Sequence, residues 1–207
     1  MFHDRADAGY QLAAEVIKLD LTEPIVLGLA RGGLEVASRV AMALRAPLDV
    51  LVVRKLGHPA QPELAIGALA EGDVLVTDDV SARRLGVNRE TIKSIAERER
   101  AELMRRIDRY RFGMPLKDLW GQTVVVVDDG IATGLTMRAA ISSVEQAKAE
   151  RIIVATPVAS PDVLSAFSLL VYDVVCVESL SGFGSVGAVY ENFTQLDDLD
   201  VIRILRT

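Results

Sequence analysis

The stretch Thr123-Val124-Val125-Val126-Val127-Asp128-Asp129-Gly130-Ile131-Ala132-Thr133-Gly134-Leu135-Thr136 runs from a block of valines through an acidic pair into a loop of small residues. Four valines in a row are too short and too β-branched to form a helix of their own. An uninterrupted apolar run of this kind marks a strand covered on both faces, as in the middle of a parallel sheet. After the loop, Met137, Ala140, Ile141, Val144 and Ala147 recur at helical spacing. The expected order is central strand, acidic pair, loop, helix.

That order suits one kind of ligand. A small-residue loop opening a helix exposes unpaired N–H groups at the positive end of the helix dipole, and Gly134 permits close approach, so a phosphate is the expected occupant. Thr133 and Thr136 add hydroxyl donors. The two carboxylates are acceptors, ill suited to phosphate oxygens and well suited to sugar hydroxyls. A sugar phosphate fits both halves, whereas an ordinary βα turn has no need of adjacent carboxylates. A P-loop is excluded because no lysine stands between Asp128 and Thr136, and the Gly-x-Gly-x-x-Gly dinucleotide fingerprint is absent from the loop.

A valine run, Asp128-Asp129, three residues and Thr133-Gly134 resembles the phosphoribosyl-diphosphate signature of type I phosphoribosyltransferases. The resemblance implies an α/β fold, a mainly parallel five- or six-stranded sheet flanked by helices with a helical insertion and a small hood. Asp128 and Asp129 would hold the ribose hydroxyls, and the loop Gly130, Ala132, Thr133, Gly134, Leu135 and Thr136 the 5-phosphate. At Ala132 the chain departs from the hypoxanthine-type members, which carry an aspartate there. The implied reaction transfers the phosphoribosyl group from phosphoribosyl diphosphate to a nucleobase-like acceptor, in nucleotide metabolism. Magnesium (Mg2+) would arrive on the diphosphate, and the protein would be a homodimer. The alternative is a non-catalytic regulator that senses phosphoribosyl diphosphate.

Composition agrees with one α/β domain: 207 residues, half of them hydrophobic, can bury a full core. No window approaches a membrane span and the first residues lack a secretory pattern, so a cytoplasmic protein is expected. The net charge of −6 argues against nucleic acid as the partner. The one cysteine, Cys176, sits in an apolar strand-like run and reads as a core residue.

Along the chain, Arg5 to Leu19 reads as an amphipathic helix capped by Asp4, with Leu12, Val16 and Leu19 inward. The run from Pro24 to Leu29 reads as a strand, and Ala30-Arg31-Gly32-Gly33 then offers a second anion site at a helix start. In the resembled family this loop holds the diphosphate and often contains a cis peptide, which falls here at Ala30-Arg31. The next strand, Leu48 to Val53, ends in Arg54-Lys55, two cations expected on the diphosphate. With Arg31, Asp128 and Asp129 they form the expected catalytic set. Leu56 to Gly72 reads as a mobile closing loop, in which His58 is either a partner of the leaving group or a solvated side chain. Asp78-Asp79 reads as surface charge.

A long helix is expected from Asn88 to Phe112. Its arginine-rich face is either solvated and salt-bridged or turned to a partner. Residues 1–207 are read as one domain, with an insertion over about 74–117 and a hood over about 179–207. In the hood, Phe183, Val186 and Tyr190 are candidates for contact with a base, or for packing the tail. Glu191 and Asn192 are the weak candidates for a metal, with no direct protein ligation otherwise expected.

Overall fold

In the computed structural model, which describes residues 1–206, the valine run becomes the middle of a five-stranded parallel sheet. The strands are β1 (Ile25–Leu29), β2 (Leu48–Leu51), β6 (Thr123–Val127), β7 (Arg151–Ala159) and β8 (Asp173–Ser179), in the order β2-β1-β6-β7-β8. Strand alternation sends Val124 and Val126 into one core and Val125 and Val127 into another, and all four are fully buried. On the second face lie α1 (Arg5–Val16) and α2 (Gly32–Leu44), contributing Leu12, Val16, Val36 and Val40. The first face carries α5 (Leu135–Gln146) and α6 (Pro161–Ser168), through Met137, Ile141, Val144 and Phe167.

The chain leaves this sheet sooner than its apolar run suggests. The strand expected from Leu48 to Val53 stops at Leu51, and the Val52 N–H is taken by the Glu71 carboxylate at 2.8 Å. That side-chain acceptor frees the backbone from the parallel ladder, and Val53 starts a separate antiparallel sheet. This sheet comprises β3 (Val53–His58), β4 (Gln61–Ala70) and β5 (Val74–Thr77).

The segment Leu56 to Gly72 is therefore largely a paired ribbon and not a loop. Leu56, Ile66 and Leu69 pack toward one core and Ala68 and Ala70 toward the other. The alternation is carried half by alanine and glycine, and the tip from Gln61 to Leu64 is exposed, so the sequence pattern looks weak. The elaboration on the main sheet thus begins at Val53.

The ribbon is covered by α4 (Arg89–Arg111), after the short α3 (Asp79–Arg84). Asn88 caps α4 by accepting from Thr91 N at 2.8 Å. Ile92, Ile95, Ala96, Leu103 and Tyr110 bury one stripe of it. Burying side chains such as Ile92 and Leu103 contributes ~1.5–3 kcal/mol each, against ~0–1 kcal/mol for an exposed ion pair on the other face, so the apolar stripe holds this helix.

A last helix, α7 (Asp198–Leu205), opens with a capping box between Asp197 and Asp200 and packs on α2 and α4. Among the described residues no helix is long and apolar enough to cross a membrane.

Candidate functional site

The carboxyl end of β6 delivers Asp128 and Asp129, and the loop after them stays on the sheet edge because Ile131 N donates to Val158 O at 2.9 Å. Gly134 stands at the N-cap of α5 with φ +79°, in the left-handed region where a side chain is strained. No side chain caps α5, so its first amides are left for another acceptor. Ala132 and Thr133 are exposed, and Leu135 and Thr136 half-buried.

Facing the acidic pair is the start of α2, preceded by a cis Ala30–Arg31 peptide. A Cβ on Gly32 would overlap Asp129 Oδ2, and one on Gly33 would lie 2.8 Å from both Asp128 Oδ1 and the Val127 carbonyl. The two glycines thus make room for the carboxylates, whose charge meets the positive end of α2.

Each aspartate has one oxygen already held. Asp128 Oδ1 accepts from Asp129 N at 2.9 Å, and Asp129 Oδ2 accepts from Arg5 Nε at 2.7 Å. Burial, then the neighbouring Asp129, pushes the Asp128 carboxyl well above the usual range. Burial also raises Asp129, but the Arg5 guanidinium opposes the rise. Burial thus raises both carboxyls, and the Arg5 guanidinium favours the charged form of Asp129.

The remaining candidate cations are placed differently from one another. Arg31 lies in a basin of ≈ 330 Å³ with Arg105, Arg106 and Arg109 of α4 and Asp197, Asp198 and Leu199. The α4 arginines there are not simply solvated: Asp198 accepts from Arg105 at 3.2 Å and from Tyr110 Oη at 2.7 Å, docking α7 onto α4. Arg54 donates to Glu99 at 2.9 and 2.7 Å, and Lys55 to the carboxylate of Glu63 at 3.1 Å.

Alternation along β3 sends Arg54 toward α4 and Lys55 to the opposite face. Among the described residues neither bonds to the 128–136 loop, and both line one cavity of ≈ 390 Å³ together with His58, Arg98 and Glu99. Local carboxylates occupy both, Glu99 on Arg54 and Glu63 on Lys55. His58 Nε2 lies 3.3 Å from the Leu85 carbonyl and its Nδ1 accepts from Ala60 N.

The tail packs downward. Tyr190 is 6% exposed, its ring centroid 5.5 Å from that of Phe2 and 5.0 Å from that of Phe193, and its hydroxyl donates to the Asp129 carbonyl at 2.6 Å. Two aromatic neighbours and the hydroxyl bond hold Tyr190 in the packing role that was the alternative to base contact. Val186 sits against Gly130, where a Cβ would come 2.5 Å from its Cγ1, and Phe183 packs in the same small cluster. Glu191 pairs with His3 at 3.0 Å, and Asn192 accepts from Thr194 Oγ1 at 2.7 Å. Burial pushes the Cys176 thiol up to about 11, in keeping with a structural residue.

Arg5 has no local sequence signal, since its partners Asp129 and Thr194 lie 124 and 189 residues away. The glutamates that occupy Arg54 and Lys55 are likewise invisible to motif reading. The helix α7 did leave a signal, the Asp197-x-x-Asp200 box before Val201 and Ile202.

The phosphoribosyl transferase domain family matches residues 2–188. A Mycobacterium tuberculosis protein provisionally named a phosphoribosyl transferase is 42% identical over 205 residues, 99% of this chain and 46% of that protein. The chain therefore spans about half the length of the curated relatives it matches. The crystal structure of a Thermus thermophilus protein is 42% identical, covers 99% of this chain and 97% of its own, and superposes with a TM-score of 0.81. A Bacillus anthracis hypoxanthine-guanine phosphoribosyltransferase, at 14% identity and 91% and 89% coverage, shares the fold with a TM-score of 0.51.

Proposed function

Since this chain belongs to the phosphoribosyl transferase domain family and has the type I phosphoribosyltransferase fold, we propose that it moves a 5-phosphoribosyl group from phosphoribosyl diphosphate to a nucleobase-like nitrogen acceptor, releasing diphosphate. The observation that carries this reading is the buried acidic pair at the end of β6, with Asp128 Oδ1 on Asp129 N and Asp129 Oδ2 on Arg5 Nε, beside an uncapped helix start. Two neighbouring hydroxyls of a ribose suit two adjacent carboxylates, and a 5-phosphate suits the amides of the loop from Ala132 to Thr136.

In the proposed reaction the acceptor nitrogen bonds to the anomeric carbon as its bond to the diphosphate oxygen breaks, so positive charge gathers on the ribose ring. Positioning and electrostatic stabilisation are then the protein's task. Asp128 and Asp129 fix the ring through its hydroxyls, each such bond to a charged acceptor contributing ~1.5–3 kcal/mol. Arg31, for which no carboxylate partner is assigned, faces the departing diphosphate. Arg54 and Lys55 reach it only on leaving Glu99 and Glu63. Magnesium would come with the substrate as the counter-ion of its diphosphate. The proposal places the reaction in a cytoplasmic homodimer.

The test is release of diphosphate from magnesium phosphoribosyl diphosphate with a panel of nucleobases. Saturable release with at least one base is expected. Tight binding without release across the panel would instead favour a phosphoribosyl-diphosphate sensor.

A further inference from the structure

Arg5 opens α1, yet its side chain is only 7% exposed. A cation is this deeply covered when other groups compensate it. Its compensation comes from separate segments. Nε donates to Asp129 Oδ2 at 2.7 Å, Nη1 donates to the Thr194 carbonyl at 2.6 Å, and Cζ lies 3.9 Å from the centroid of the Phe193 ring.

The direction of the side chain is set from both sides. Asp4 caps α1 by accepting from Asp7 N at 2.8 Å. The segment around Phe2 is tied to the tail by Phe2 N to Val189 O, Glu191 N to Phe2 O and Asn192 N to His3 O, each at 2.9 Å. Phe193 then covers the guanidinium, Tyr190 packs against Phe193, and the Tyr190 hydroxyl fixes the Asp129 main chain.

A staple between helix and tail accounts for the stacking and the Thr194 bond. It does not account for the guanidinium on Asp129, because a buried ion pair is a weak stabiliser beside apolar packing of the same volume. We propose that Arg5 is a positioning residue for the sugar, acting through Asp129: it holds Oδ2 and leaves Oδ1 as the acceptor for a ribose hydroxyl. The inference rests on the ribose reading of the acidic pair given above.

The charged and titratable groups facing Asp129 are Arg5 on α1, Asp128 in the same loop, Tyr190 from the tail and Glu35 on α2, which lies within Coulomb range of Arg5. Arg5 is the cation among them. Without it, two buried neighbouring carboxylates would compete for one ionised form, and Asp129 would take up a proton at higher pH. An opposite charge at such range shifts a carboxylate by ~1–3 units, so the change is large enough to read.

Calorimetric titration with magnesium phosphoribosyl diphosphate across about pH 6 to 9 tests this in the full chain, using Arg5→Gln and Arg5→Lys. In Arg5→Gln the affinity should fall by roughly tenfold or more at the acid end and recover toward the alkaline end, its midpoint displaced upward by ~1–3 units. Arg5→Lys, which keeps the charge and loses the stacked plane, should keep the unsubstituted protein's pH profile. That variant carries the test if the glutamine variant fails to fold, and a displaced midpoint in Arg5→Lys would then overturn the proposal. Equal affinity losses at every pH in Arg5→Gln, or none, would make Arg5 a staple only. Absence of binding by the unsubstituted protein at any pH would instead sink the ribose reading, and this inference with it.

Discussion

Two Asp-Asp pairs come after apolar strands in this chain, Asp78-Asp79 after β5 and Asp128-Asp129 after β6, and they have opposite surroundings. Asp78 caps α3, accepting from Ser81 N at 2.9 Å, and its bonds to Ser81 pull its carboxyl below the usual range. Asp79 accepts from Thr77 Oγ1 at 2.7 Å and from Arg89 at 3.3 Å, and is lowered by the same kind of bonding. The pair at 128–129 is pushed the other way by burial, with Arg5 as its cation. A helix that starts at once consumes its acidic pair as a cap, whereas a loop of small residues leaves the pair's acceptors for something else. The role of the dipeptide is decided by the segment on its C-terminal side.

The sharpest way to break the contrast is to fill the space that only the second pair needs. Gly32→Val should place a side chain on Asp129 Oδ2, lowering affinity for magnesium phosphoribosyl diphosphate by roughly a hundredfold or more by calorimetry. It should also destabilise the fold by ~1–3 kcal/mol in urea, as overpacking does. Retained affinity would mean that the α2 start and the acidic pair do not form one site.

A smaller effect is expected from Asp128→Asn. Losing one charged acceptor should weaken binding by about tenfold to a hundredfold. Stability should move in the opposite direction. Because burial raises the Asp128 carboxyl, the folded protein holds more protons than the unfolded one between the usual carboxylate range and the raised value, so stability falls as pH rises through that window. Urea midpoints followed against pH should show this slope in the unsubstituted protein and lose it in Asp128→Asn, which should be the more stable of the two at neutral pH.

The least effect on the ligand is expected at the first pair. Asp78→Ala removes a helix cap and should cost about 1 kcal/mol in denaturant unfolding at neutral pH, with affinity unchanged. Here the sign is reversed. A carboxyl lowered by folding contributes stability at neutral pH that is lost as pH falls through its folded value, so the penalty of Asp78→Ala should shrink in acid.

The same contrast explains how far the sequence could be read. The central strand, the acidic pair, the loop into α5, the helix α4 and the glycine start of α2 are all local patterns, and each is where the residues put it. The ribbon from Val53 was hidden because alanine and glycine carry half of its alternation and because Glu71, far along the chain, ends the parallel ladder. The glutamates that pair with Arg54 and Lys55 are set by tertiary packing and leave no mark on the local pattern. Tyr190 could be read either as stacking on a base or as packing the tail, and its contacts with Phe2 and Phe193 are set by tertiary packing that no local pattern reveals. Arg5 could not be found at all from spacing, since a buried guanidinium between three segments leaves no periodic trace.

One calorimetric comparison tests the central claim most directly: titration of magnesium phosphoribosyl diphosphate into the unsubstituted protein, into Asp78→Asn with Asp79→Asn, and into Asp128→Asn with Asp129→Asn. Binding to the first two with similar affinity is expected, and no measurable binding to the third, with all three folded by circular dichroism. Equal binding by both double variants, or no binding by the unsubstituted protein, would contradict that claim.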